Sequence, residues 1–183
     1  MNKLSLPNFE NIHTIIFDFD GVFTDNKVLV SQDGSEFVSC SKEDSLGLDI
    51  LKNLIKKYNL ELELFILSTE KNSVVFKRSE KLKIRCHYGI TNKLDFIKGY
   101  LKKRFPSKIN PQSGVVYLGN DLNDFAAMRF VGTSISPNDA HKLIKKEASF
   151  VMSKNGGDGF VREFIETLIF SNNINEHRLI DLI

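Results

Sequence analysis

Cysteine, net charge and long apolar runs are all scarce in this chain, and each shortage closes off a class of protein. Of 183 residues only two are cysteines, Cys40 and Cys86, far apart in sequence and not in a CxxC pair. That suits a reduced, cytoplasmic protein rather than a disulfide scaffold. The net charge is +2, too small to imply nucleic acid or an anionic membrane as a partner. No apolar stretch approaches a membrane span, and residues 1–14 hold no signal-like apolar segment. Internal repeats and low-complexity tracts are absent too. The expectation is a single domain over 1–183, with a hydrophobic fraction of 42% that suffices for a core.

The most informative stretch is Ile15-Ile16-Phe17-Asp18-Phe19-Asp20-Gly21-Val22-Phe23-Thr24-Asp25. An apolar, β-type run ends in two carboxylates two residues apart, then a glycine. Residues i and i+2 of a strand point to one side. Asp18 and Asp20 therefore emerge together where strand gives way to loop, at the edge where open α/β sheets bind ligands. Carboxylates held together need a cation, a shared proton or both. A solvated acidic turn is the alternative for a bare DxD. An EF-hand loop is excluded, because no Glu stands at its required later position.

Taken in order, residues 12–19 read as a buried first strand. Residues 27–38, with Asp33-Gly34 as turn, read as a β-hairpin. Residues 45–58 place Leu48, Leu51, Leu54, Ile55 and Tyr58 at helical spacing, with Asp44 or Ser45 as N-cap. A core strand over 62–67 ends at Ser68-Thr69-Glu70. A basic helix near 72–82 and a short strand at 84–87 follow. The helix over 92–104 is capped by Asn92 or Thr91 and closed by Pro106 and Pro111. A strand over 115–118 runs straight into Gly119-Asn120-Asp121-Leu122-Asn123-Asp124. Beyond it come a short helix from 123 to 129, a strand at 131–136, a helix over 138–147 opening at Asn138 or Asp139, and a last strand at 150–152. Gly156-Gly157-Asp158-Gly159 reads as a flexible loop, 160–170 as an amphipathic helix, and 171–183 as a polar, fraying tail. Alternating strands and helices predict an α/β fold, a doubly wound, mostly parallel sheet.

Three strands end in polar loops, after Phe17, Leu67 and Leu118. If these strands are neighbours, the loops form one site. An Asp can attack phosphorus, and a second carboxylic acid can protonate the leaving oxygen and then deprotonate water. Mg2+ suits one or two carboxylates plus a phosphate, and a hydroxyl and a lysine can hold the phosphoryl oxygens. Asp18, Asp20, Ser68, Lys93, Asn120, Asp121 and Asp124 all stand after strands or at helix starts. The four histidines, His13, His87, His141 and His177, occupy no such position and read as structural or surface residues.

DFDGVFTD resembles the first motif, DxDGxxTD, of the haloacid dehalogenase (HAD) superfamily. Ser68, Lys93 and GNDLND fall where that superfamily keeps its other three motifs, in the same order. Over about residues 12–168 the chain is most similar to the capless branch that includes 3-deoxy-D-manno-octulosonate 8-phosphate phosphatases and N-acylneuraminate 9-phosphate phosphatases. The hairpin, LSTEKNSVVFKRSEKLKI, NKLDFIKGYL and NGGDGFVREF carry that likeness, which extends to the C-terminal domain of acylneuraminate cytidylyltransferases. The resemblance implies a HAD-like Rossmann fold and a Mg2+-dependent phosphatase that works through an aspartyl-phosphate. Asp18 would be the nucleophile, Asp20 the general acid/base, Ser68 and Lys93 the phosphoryl-binding pair. Mg2+ would be held by Asp18, the Asp20 carbonyl and Asn120, with Asp121 and Asp124 supporting the metal shell.

Two positions depart from the octulosonate pattern. Asn120 stands where most members carry a metal-binding Asp, so the metal should bind less tightly. Thr69-Glu70 stands where octulosonate phosphatases carry Gly-Arg; this and Asp44-Ser45 resemble the nonulosonate enzymes, and the charge reversal should alter selectivity. The alternative for Glu70 is a carboxylate favoured by a helix N-terminus. Arg78 matches a basic residue that meets the sugar carboxylate from a neighbouring subunit, so the substrate-binding set is Thr69, Glu70, Arg78 and Asp44. The interval between Asp25 and Ser68 is too short for a cap domain. The resemblance implies that a homotetramer closes the site instead; Phe23, Val28, Val30 and Phe37 are the candidate apolar contacts, the alternative being that they pack within their own subunit. The substrate expected is a phosphorylated 2-keto-3-deoxy sugar acid; the rival reading is a catalytically weak oligomerisation or regulatory module.

Overall fold

The computed structural model describes residues 6–183, so the start of the 1–14 segment lies outside the described residues. Its centre is β1 (Thr14–Phe17), with all four residues buried. Alternation along β1 sends Ile15 and Phe17 into one apolar cluster and Ile16 into the other. The sheet therefore needs helices on both faces.

The chain first builds away from β1 on one side. A two-residue pair, β2 (Leu29–Val30) and β3 (Glu36–Phe37), forms the expected hairpin as a separate antiparallel ribbon. Then come α1 (Lys42–Lys57), β4 (Glu63–Leu67), α2 (Ser73–Leu82) and β5 (Arg85–His87). After α3 (Lys93–Arg104) the chain crosses back to β6 (Val115–Leu118), on the other side of β1. It continues through α4 (Phe125–Phe130), β7 (Thr133–Ser136), α5 (Lys142–Glu147) and β8 (Phe150–Val151). The main sheet has the order β5-β4-β1-β6-β7-β8 and is parallel throughout. The winding direction reverses between β1 and β6, the place where such sheets bind ligands. The strands before the three polar loops, β4, β1 and β6, are adjacent.

On one face α1 packs against α6 (Phe160–Ser171), where Phe160, Val161, Phe164, Ile165, Leu168 and Ile169 are all buried. Each such side chain is worth about 1.5–3 kcal/mol of transfer free energy. The other face carries α3, α4 and α5, with Ile97, Leu101, Met128 and Ile144 facing Phe65 and Tyr117.

Several local expectations need correction. Helix α1 begins earlier, capped by Ser41, whose Oγ accepts from Glu43 N at 3.0 Å. Its first turn lacks the apolar periodicity that placed the start at 45. Helix α5 begins at Lys142, capped by the His141 ring, while Asp139 accepts from Gly156 N. The 156–159 stretch is pinned rather than free, because Gly157 N also donates to Val22 O at 3.1 Å. The tail does not fray. Helix α7 (Glu176–Ile180) forms, Ile174, Leu179 and Leu182 are buried in the cluster of α1 and α6, and Asn53 Nδ2 donates to Leu182 O. Three apolar side chains spaced along a polar segment outweigh its composition. Among the described residues no helix is long and apolar enough to cross a membrane.

Candidate active site

Each strand of the central trio is extended by one backbone hydrogen bond, and each then releases its polar loop. Asp18 N donates to Leu118 O, Ser68 N to His87 O, and Gly119 N to Ile135 O. The loops meet in a cleft of about 430 Å³ at the C-terminal edge. Asp18, Asp20, Thr69, Glu70, Asn120 and Asp121 all line it. Ser68 lies buried beside them, its Oγ accepting from Glu70 N at 3.0 Å.

Under the floor is a buried charge cluster. Lys93, the first residue of α3, places Nζ 2.7 Å from Asp18 Oδ1 and 2.6 Å from Asp124 Oδ1. Asp124 is fully buried and fully partnered. Its Oδ1 also accepts from Tyr117 OH at 2.7 Å, and its Oδ2 from Asn120 N and Asp121 N. Asp124 thus ties β6 and the motif-four loop to the lysine. Tyr117 went unnoticed in the sequence. Its signal was one polar tip in the apolar run Val-Val-Tyr-Leu before Gly119.

Two buried carboxylates share one ammonium, and the protonation preferences follow. Burial, then the Asp124 carboxylate, push the Asp18 carboxyl up to about 8 against the pull of Lys93. Burial alone would depress Lys93, but Asp18 and Asp124 outweigh it and hold its proton. Asp20 is raised by burial and then by Glu70, with Lys93 and the Thr24 hydroxyl opposing. A raised carboxyl at a cleft edge suits an acid that must carry its proton at neutral pH.

The residues fit a divalent cation. Asn120 Oδ1 is buried and has no hydrogen-bond partner, a costly condition for an amide oxygen. The side chain lies against Gly21, where φ is +75° and an added Cβ would fall 1.9 Å from Asn120 Nδ2. Only glycine accommodates both the conformation and the approach. A hard cation would satisfy that oxygen and offset the charge of Asp18. Among the described residues no three His, Cys, Asp or Glu side chains cluster as a metal cage, so a cation here would draw on Asn120 Oδ1 beside Asp18 rather than on such a cluster. Asp121 is exposed and its Oδ1 caps its own turn by accepting from Leu122 N at 2.7 Å.

Two of the remaining candidates, Asp44 and Arg78, are elsewhere. Asp44 is 1% exposed and is not on the cleft. It sits in the first turn of α1 and accepts from Arg162 N at 3.0 Å, so it caps α6 rather than facing a substrate. Arg78 also lies off this chain's cleft, with Nη2 on Ser45 Oγ at 2.5 Å. Glu70 Oε1 accepts from Lys71 N and Asn72 N, in the turn just before α2, while the residue lines the cleft. Asn123 was not anticipated; its Nδ2 reaches Thr69 Oγ1 at 3.4 Å and joins two of the loops. His13 is structural, bonded to Pro111 O and Thr14 Oγ1.

No protein-family model matches the chain. Among curated proteins it is 32% identical over 163 residues to the Escherichia coli K12 3-deoxy-D-manno-octulosonate 8-phosphate phosphatase KdsC, covering 88% of this chain and 81% of that one. Among solved structures, a Streptomyces avermitilis chain described as of the HAD hydrolase family superposes with TM-score 0.81 at 35% identity, covering 94% and 95% of the two chains. The Moraxella catarrhalis 3-deoxy-D-manno-octulosonate 8-phosphate phosphatase, solved with magnesium, phosphate and KDO, superposes with TM-score 0.78 at 27% identity, covering 90% of each. With the acid-lined cleft at the switch point of a matching fold, these likenesses place the chain in the 3-deoxy-D-manno-octulosonate 8-phosphate phosphatase family of the HAD superfamily, a family of phosphoric monoester hydrolases.

Proposed function

We propose that this chain is a Mg2+-dependent phosphatase that hydrolyses the phosphate monoester of a 2-keto-3-deoxy sugar acid, either KDO 8-phosphate or a nonulosonate 9-phosphate. The observation that carries the reading is Asp18 at the cleft floor, held by Lys93 Nζ at 2.7 Å, with Asp20 lining the same cleft. With Asp18 ionised, the form that Lys93 favours and a bound cation would favour further, its carboxylate attacks phosphorus and the bond to the leaving oxygen breaks, while Asp20 gives that oxygen its proton. Asp20 then takes a proton from water as it attacks the aspartyl-phosphate, which releases phosphate and restores both carboxyls. Lys93 orients Asp18, and the Ser68 loop faces the phosphoryl group. Asp18, the Asp20 carbonyl and Asn120 would hold Mg2+, with Asp121 at the rim, and the ion would supply charge neutralisation for the phosphoryl oxygens.

The substrate class rests on the relatives and on the openness of the cleft. The exposed hairpin, with Val28, Leu29, Val30 and Phe37 uncovered, supports a homotetramer in which neighbours close the site. Asn120 favours a second reading, a weakly catalytic assembly module, because an amide adds no charge to the metal site. Phosphate release from KDO 8-phosphate and from N-acetylneuraminate 9-phosphate, with and without Mg2+, separates the readings. We expect Mg2+-dependent release, lost in Asp18→Asn. Preference for the nine-carbon ester supports Glu70 as a selectivity residue, and preference for the eight-carbon one counts against it. No release from either at high Mg2+ favours the module.

A further inference from the structure

The cleft has an electrostatic problem that the catalytic residues do not solve. Asp18, Asp20, Glu70 and Asp121 line it as acids, and among the described residues Lys27 is the one basic residue lining it. Lys93 lies beneath, committed to Asp18 and Asp124. Neither Lys71 nor Arg78 lines the cleft, and Arg78 is held by Ser45. A phosphate bound at the floor has Lys93 and the metal. Within this chain, a second negative charge farther along the substrate would meet Glu70 and Asp121 unless Lys27 met it first.

The local chain is built to present Lys27 there. The buried Thr24 hydroxyl accepts from Gly21 N and Asn26 N, both at 3.2 Å, which fixes the turn out of the Asp20 loop. Asn26 adopts φ 60°, a left-handed conformation that asparagine tolerates. That reversal brings Asn26, Lys27 and Val28 onto the cleft wall before the hairpin begins. The only ion pair of Lys27 among the described residues is with Asp25 Oδ2 at 3.6 Å, at 80% side-chain exposure. Such a tether is weak and easily exchanged for a ligand.

We propose that Lys27 is a specificity-determining residue that binds a second anionic group, a carboxylate remote from the phosphate, within its own subunit. This inference rests on the phosphatase reading above. It differs from a neighbour-supplied arginine, because the cation comes from the hairpin root of the chain that also supplies the nucleophile.

A matched pair of esters tests it: 6-phosphogluconate, with a carboxylate at the far end, and glucitol 6-phosphate, with a hydroxymethyl there. We expect the wild type to favour the acid in kcat/KM. In Lys27→Met the acid-to-neutral ratio should fall about three- to ten-fold, chiefly through KM, and Lys27→Arg should restore it. Raising ionic strength should erode the wild-type preference and leave that of Lys27→Met nearly flat. Equal use of the two esters by the wild type, or an unchanged ratio in Lys27→Met, overturns the proposal. If turnover is too slow, calorimetric affinities for the two esters make the same comparison with the same outcomes. Failure of the sugar-acid reading looks different: neither KDO 8-phosphate nor the nonulosonate ester would outperform these probes, while the Lys27-dependent ratio would persist.

Discussion

At Asp20, burial and the neighbouring Glu70 carboxylate both favour the protonated form. An acid that protonates the leaving group works only while it holds its proton, so activity should fall as pH rises through its value. Glu70→Gln removes the second of those causes, which lowers the proton affinity of Asp20. The alkaline limb of the kcat profile should move to lower pH; an unmoved limb would exclude electrostatic coupling between the two carboxyls. Asp44 offers a stability counterpart. Burial pushes it from the ordinary 3.8 up to about 6, with Oδ2 left unpartnered. The folded chain then binds more protons than the unfolded chain in that window, so stability falls as pH rises through it. Asp44→Asn keeps an acceptor for Arg162 N and removes the buried charge. Thermal melts should show it more stable than wild type at pH 7.5, by about 1–3 kcal/mol, and little different at pH 4. A lower melting temperature at pH 7.5 would mean that the charge itself is needed to cap α6.

At the scale of elements, the C-terminal segment and the glycine loop act as fasteners. Ile174, Leu179 and Leu182 are buried against the cluster of α1 and α6, and α6 follows directly from the loop bonded to Val22 O. Truncation after Asn173 should therefore cost about 3 kcal/mol or more in urea unfolding, from three apolar side chains at the lower end of their transfer values. Unchanged stability would return this segment to the polar tail that its composition suggests. Asp44 escaped sequence reading for a related reason: capping between helices distant in sequence leaves no periodic trace.

For the whole molecule, the hairpin is where the fold is unfinished. Leu29 is 73% exposed and Val30 63%, while Phe23, expected beside them at an interface, is buried against Phe17 and Phe19. Leu29→Asp with Val30→Asp should lower the mass measured by sedimentation without unfolding the domain, since neither residue contributes to the core. A mass that does not change would show that the hairpin does not hold subunits together.

The α/β class, the two carboxylates after the first strand and most strand positions could be read along the chain, because alternation, apolar runs and a DxD at a strand end are local patterns. So could the candidate catalytic groups, each marked by its place after a strand or at a helix start. Their distances could not. The ion pairs of Lys93 with Asp18 and Asp124, the Tyr117 bond to Asp124 and the fit of Asn120 against Gly21 join segments remote in sequence. So does the removal of Asp44 from the cleft to the end of α6. Spacing in sequence determines which face or edge a residue can reach; only the crossover that brings β4, β1 and β6 side by side determined which charges meet.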